Sequence, residues 1–209
     1  MSDEPIKFEE RMFDQIKVDE DKPSMPFEDC FQLGMGTEHM APLLYSLIRF
    51  VRPQRILEIG LGYTTPWLIK GLESNEQIHI DGNADMDYFG KPYDPKIICI
   101  DDMSQKESSA SQAAVKYKDN KYVTVIESLF QGKAQHIKDE YGMIDFAWFD
   151  CGGHKEYGEF LKEYLPICSG YVLLHYTYYR GKPNPNYTEI ETYVSNEEWE
   201  RIDLIEPHK

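Results

Sequence analysis

The chain has 209 residues and a formal net charge of −15 at pH 7, from 37 Asp and Glu against 22 Lys and Arg. That length suits one α/β domain with a full core rather than two. The acidic balance argues against a nucleic-acid partner or an anionic membrane, both of which need a basic face.

Residues 1–30 read as a polar N-terminal arm or lid, with a short helix over 9–17 that puts Met12, Phe13 and Ile16 on one face. The opening Met-Ser-Asp-Glu-Pro is no signal peptide, and no apolar run is long enough to span a bilayer. The four cysteines, Cys30, Cys99, Cys151 and Cys168, form no Cys-x-x-Cys pair, so reduced thiols in a cytoplasmic protein are expected. A single α/β unit follows over 31–209. Residues 31–37 form a glycine-broken loop, and Met40, Leu43, Leu44, Leu47, Ile48 and Val51 then recur at helical spacing. Pro42 belongs in the first turn of that helix and Pro53 ends it.

Residues 55–66 read as a buried strand, a glycine turn and a helix start. Ile56, Leu57 and Ile59 favour a central strand. Gly60 and Gly62 allow backbone angles closed to other residues and a ligand close to the main chain. Thr65 is placed to cap the helix, with Pro66 at its first position. The residues resemble the first motif of the class I S-adenosylmethionine-dependent methyltransferases, Glu/Asp-x-Gly-x-Gly, supplied here by Glu58, Gly60 and Gly62. A dinucleotide fingerprint needs a third glycine, where this chain has Thr65. A carboxylate two residues ahead of the first glycine would also repel a pyrophosphate, whereas it suits a cationic sulfonium.

The resemblance implies a Rossmann-like three-layer sandwich on a mostly parallel sheet, with S-adenosylmethionine as cofactor. It implies that Glu58, Gly60, Gly62, Tyr63, Thr64 and Thr65 form the cofactor turn. It also places the loop ahead of the first helix at the active site, so Gln32, Met35, Thr37 and His39 become candidates to touch ligand.

Residues 67–72 are expected to be helical, and 73–95 an insertion. Within it Asp81, Asn83, Asp85 and Asp87 alternate as in a calcium loop. Met86 stands where that loop needs glycine and Pro92 where it needs a bidentate Glu, so solvated acids are the better reading. Residues 96–104 read as the second strand, ending in carboxylates. Asp101, with Asp102 beside it, is placed to accept the ribose hydroxyls, Asp81 being the competitor. A helix is expected over 107–118, a third strand over 122–126 and another helix over 131–140. Just past that third strand, the resemblance points to Ser128 and Leu129 at the adenine.

Residues 144–154 form the fourth strand and its exit loop, an apolar run ending in Asp150, two glycines and His154. This strongly resembles small-molecule O-methyltransferases, in which such an Asp lies beside the methyl donor and often holds a divalent cation. A helix over 156–167 and a fifth strand over 171–176 follow. Relatives that use a metal carry a second acid or amide at the end of that strand, where this chain has His175, Tyr176 and Thr177. Metal-independent chemistry is therefore favoured, with His175 or His154 as base and Asp150 orienting it or the acceptor. A metal on Asp150 and His175 is the alternative. Tyr176 and Tyr178 line an aromatic acceptor pocket or serve packing. His79, His136 and His208 are read as surface residues.

The tail is expected to hold a proline-rich loop over 180–186, a helix over 188–195 and a sixth strand over 199–205. The family's final antiparallel strand has no candidate before Lys209. Either the sequence is cut short, or the fifth strand keeps an open edge that a second copy could cover as a homodimer. The reading that follows is methyl transfer to a small-molecule acceptor, most naturally at oxygen. The alternatives are a non-catalytic methyltransferase-fold protein binding a nucleoside or a partner, and an NAD-linked oxidoreductase.

Overall fold

The computed structural model describes residues 26–31, 37–78, 92–104, 109–194 and 199–204. The expected helix over 9–17, the loop residues Gln32 and Met35, the run at Asp81 and the calcium-like loop lie outside them. Helix α1 (Met40–Val51) leads into β1 (Arg55–Ile59), and α2 (Thr64–Ile78) follows the glycine turn. Strand β2 (Lys96–Asp101), α3 (Ser109–Tyr117), β3 (Val123–Glu127), α4 (Ala134–Tyr141), β4 (Ile144–Phe149), α5 (His154–Tyr164) and β5 (Cys168–Leu174) continue the alternation. The strands pair in the order β3-β2-β1-β4-β5, every pairing parallel. This is the expected α/β, Rossmann-like architecture.

Strand alternation assigns the two faces. Ile56, Ile97, Cys99, Phe146 and Trp148 pack with Leu44 and Ile48 of α1, Leu68 and Leu72 of α2, and Ala113 of α3. Leu57, Ile59, Ile98, Ile100, Ala147 and Phe149 pack on the opposite face with Ile137 of α4 and Phe160, Leu161 and Tyr164 of α5. Both clusters are almost fully buried. At about 1.5–3 kcal/mol per buried large aliphatic or aromatic side chain, they are the main source of stability.

Local chemistry sets the ends of the elements. Arg52 closes α1 in a left-handed conformation (φ 54°), its N–H donating to the Ile48 carbonyl at 3.0 Å. Asp145 pins the start of β1 by accepting from the Gln54 and Arg55 amides at 2.8 and 2.9 Å. A Cβ on Gly170 would lie 2.0 Å from the Asp145 carbonyl oxygen, so β5 can approach β4 there only with glycine.

Several boundaries differ from expectation. Helix α2 runs on through residues 73–78, so these extend the helix and are not part of an insertion. Thr65 is not an N-cap but lies inside α2, which begins at Thr64. Residues 178–183, expected as loop, form a small hairpin, β6 (Tyr178–Tyr179) with β7 (Lys182–Pro183). Its turn residues Arg180 and Gly181 both have positive φ, the twist that tight hairpins need. Helix α6 (Pro185–Val194) follows.

The expected sixth strand is absent over 199–204. Side chains hold that segment in place of a backbone ladder. Trp199 packs on the α4–α5 face, and the Arg201 guanidinium lies 3.8 Å over the Tyr187 ring while its Nε donates to Asp203 at 2.9 Å. Among the described residues, no strand pairs with the free side of β5.

Candidate active site

The strand order reverses between β1 and β4, and open α/β sheets bind ligands in the crevice at such a switch point, outside the carboxyl ends of the strands. Here those ends are Gly60 after β1, Asp101 and Asp102 at β2, Ser128 after β3, Asp150 after β4 and His175 after β5. Gly60 has φ +93°, and its N–H donates to the Ile100 carbonyl at 3.0 Å. A Cβ at this position would lie 2.7 Å from the Asp150 carbonyl oxygen. The β1 turn and the β4 exit are therefore in direct backbone contact.

Glu58 is placed by the strand alternation. It shares a face with Ile56 and sits in register with Cys99, so its side chain runs beneath the start of α2. There Thr64 Oγ1 donates to one carboxylate oxygen at 2.7 Å, while Thr65 Oγ1 and Cys99 Sγ donate to the other at 2.8 and 3.2 Å. Thr65 Oγ1 in turn accepts the Gly62 amide at 3.2 Å. Glu58 and Thr65 have no exposed surface and Thr64 almost none. Tyr63 is also buried, edge-on to Phe31 and Trp67. The side chains expected at the cofactor thus brace the turn from below; Leu61 and Gly62 are buried as well, and Gly60 is partly exposed.

Burial pushes the Glu58 carboxyl up to about 7, against the pull of its three hydrogen bonds and with the Asp150 charge adding to the rise. A carboxyl raised on folding binds its proton more tightly folded than unfolded. Its contribution to stability is therefore greatest below about 4.5 and falls as pH rises to about 7, by roughly 3 kcal/mol in all.

At β2, Asp101 accepts the Leu61 amide on one oxygen at 2.9 Å and the Met103 amide on the other at 2.8 Å. It ties the glycine turn to the neighbouring strand tip while remaining partly exposed. Asp102 is exposed, and the Ser104 hydroxyl and amide hold its carboxyl below the usual carboxylate range. The Ser128 amide donates to the Asp101 carbonyl at 2.9 Å, which brings the β3 exit alongside, and Leu129 is 63% exposed.

Asp150 and His175 meet. Register pairs Phe149 with Leu174, and the two residues lie one step further on, with His175 Nδ1 donating to Asp150 Oδ1 at 2.8 Å. An ionised carboxylate accepts only, so in the neutral imidazole this pairing puts the proton on Nδ1 and the lone pair on Nε2. The His175 carbonyl accepts from the buried Tyr157 hydroxyl, and its ring leans on Trp148 with centroids 5.6 Å apart. The imidazole is thus held by Asp150 and Trp148, and the His175 backbone by Tyr157. His154 is not part of this pair: it is exposed at the first position of α5. Among the described residues, no group of three or more His, Cys, Asp or Glu is placed to hold a metal ion.

A cavity of about 210 Å³ opens beside His175, walled by Met40, Leu173, Tyr176, Tyr178, Ile190 and Trp199 among others. Tyr176 takes a left-handed backbone (φ 55°), and its carbonyl accepts from the side-chain amides of Asn184 and Asn186 at 2.6 and 2.9 Å. His39 is exposed and immediately precedes Met40. The sequence reading missed Cys99 beneath Glu58, Tyr157 behind His175 and the two asparagines behind Tyr176. Strand parity could have found the first, since Cys99 lies on the face of its strand that shares a cluster with Ile56. The other three come from helices and turns whose register to the sheet no local pattern encodes.

No protein-family model matches the chain, and no curated protein does. Solved structures do. The O-methyltransferase from Bacillus cereus in complex with SAH aligns with a TM-score of 0.54 at 19% identity, over 82% of this chain and 71% of that one. The SAH-bound Podospora anserina methyltransferase PaMTH1 aligns at 0.48 and 19%, over 72% of this chain and 56% of its own. The O-methyltransferase TomG from Streptomyces achromogenes, in complex with SAM, aligns at 0.47 and 20%, over 76% and 67%. The chain has the fold of the Bacillus cereus O-methyltransferase.

Proposed function

We propose that the chain is an S-adenosylmethionine-dependent methyltransferase acting on a small-molecule acceptor, at oxygen. The observation that carries this reading is the Asp150–His175 pair, held against the glycine turn at the switch point of the sheet. The turn fits a sulfonium donor. The Asp101 carboxylate accepts from the turn at Leu61, with Asp102 next to it at the β2 tip and Asp150 following β4 beside Gly60, and such carboxylates favour a cation and would repel a pyrophosphate. Asp101 and Asp102 at the β2 tip would hold the ribose, Ser128 and Leu129 the adenine, and the Gly60–Gly62 backbone the methionine end. When bound, the cofactor supplies an activated methyl group.

The chain's own residues supply alignment and proton removal. Methyl transfer is an in-line displacement that gains most from orientation. An acceptor hydroxyl must also lose its proton, and His175 Nε2 is the base within the crevice, with Asp150 fixing its tautomer and stabilising the imidazolium that forms. The cavity walled by Tyr176 and Tyr178 suits a small, partly apolar acceptor. His154, at the open end of α5, has no role in this scheme. The four free cysteines support a cytoplasmic setting.

Titration calorimetry with S-adenosylmethionine and S-adenosylhomocysteine tests the reading. Saturable one-to-one binding of both is expected. No heat from either at millimolar concentration would remove it, and an NADH fluorescence change in their place would favour an oxidoreductase.

A further inference from the structure

We propose that Asn184 and Asn186 are positioning residues for the base: by clamping the Tyr176 carbonyl they hold the exit of β5 in a left-handed turn, and through that turn they hold the His175 imidazole against Asp150. The inference rests on the reading of His175 as the base. The His175 amide makes the last rung to β4, donating to the Phe149 carbonyl at 3.2 Å. Beyond it the chain leaves the ladder, and the next residue, Tyr176, has φ 55°. A residue with a Cβ keeps that conformation only where its surroundings over-determine it.

Side chains from α5 and from the start of α6 supply those surroundings. The His175 carbonyl accepts from the Tyr157 hydroxyl of α5. The Tyr176 carbonyl accepts from Asn184 Nδ2 at 2.6 Å and from Asn186 Nδ2 at 2.9 Å. Two amides on one oxygen use both of its lone pairs, which fixes the peptide in direction as well as in place. Asn186 is only 6% exposed, so water has little access to replace it. Asn184 acts at both ends of its side chain. Its Oδ1 accepts the Asn186 and Tyr187 amides at 2.9 and 3.3 Å, which caps α6. Its own backbone N–H donates to the Thr177 carbonyl at 3.0 Å. The start of α6 is thereby tied to the two residues that follow the base. An Asp at 184 would make the same cap, yet it has no N–H for Tyr176 and would set a negative charge against that carbonyl. The clamp needs the amide and the cap does not.

Imidazole nitrogen NMR of the full chain reads the clamp without any acceptor. With the imidazole neutral, the wild type is expected to show His175 as a single Nδ1–H tautomer. Asn184→Asp, Asn184→Ser and Asn186→Ala are each expected to mix the two tautomers while affinity for S-adenosylmethionine is unchanged. Asp and Ser both keep a cap on α6, so denaturant melts of these variants separate loss of the clamp from loss of the helix. Methyl transfer to a panel of phenols and alcohols should fall in kcat by about 10- to 100-fold, the scale on which a misplacement of order 1 Å is felt. In a His175→Gln background the same substitutions should cost nothing further, because they act through the imidazole. A single Nδ1–H tautomer retained in all three variants, or an equal loss of rate with and without His175, overturns the inference and leaves the base reading intact. A wild type without that tautomer, or a His175→Gln variant that keeps the wild-type rate, overturns the base reading, and this inference with it.

Discussion

His175→Gln is expected to lower the rate of methyl transfer about 10²- to 10⁴-fold, the range lost when a positioned general base is removed. Affinity for the methyl donor should stay within about twofold. Glutamine can keep a hydrogen bond to Asp150, so the carboxylate is not left without a partner. Asp150→Asn should cost activity through the tautomer. The asparagine amide can donate to Nδ1, which moves the imidazole proton to Nε2, where the base must be free. The Asp150 amide bonds the Ile59 carbonyl through the backbone at 3.1 Å, so the sheet should survive the change. Single-turnover rates and donor affinities, measured side by side, check both variants. If His175→Gln keeps its rate while His154→Gln loses it, the base is the wrong histidine and the pair is structural.

Gly60→Ala should damage both stability and donor binding. The position combines a φ of +93°, which strains any residue with a Cβ, with a 2.7 Å approach to the Asp150 carbonyl. A contact that close must be relieved by moving the turn or the β4 exit, a change that typically costs about 1–3 kcal/mol. Either movement separates the donor turn from Asp150, and affinity is expected to fall at least about a hundredfold with it. Gly142→Ala is the control. Gly142 has a similar positive φ (85°), but its added Cβ meets nothing within 4 Å. It should lose roughly 1 kcal/mol of stability to backbone strain alone and bind the donor as the wild type does. Denaturant melts with donor titrations on both variants separate clash from strain.

The sheet was legible because its strands are short apolar runs that end in glycine or carboxylate. Strands were expected over 55–59, over 96–104 and, with an exit loop, over 144–154, and the structure has them at Arg55–Ile59, Lys96–Asp101 and Ile144–Phe149. The meeting of Asp150 and His175 was half legible. Each could be placed at a strand end, but their contact depends on the β4–β5 register, which shifts between Ile144 and Phe146. No periodicity announces such a shift. Glu58 was read from the motif as a cofactor residue; strand alternation also turns it under α2, where the structure buries it against Thr64, Thr65 and Cys99. The tail differs: a strand was expected over 199–205, and the described residues 199–204 are not in one. Its polar members instead engage α6 and one another, with Arg201 over Tyr187 and bonded to Asp203.

A crystal structure of the chain with S-adenosylhomocysteine bound tests the central claim most directly. The result expected has the methionine end against the Gly60–Gly62 backbone, the ribose at Asp101 or Asp102, and the sulfur facing the cavity beside His175, with Glu58 still buried beneath Thr64 and Thr65. A ligand bound away from the carboxyl ends of β1 and β4, or a turn opened so that Glu58 contacts the ligand itself, would contradict it.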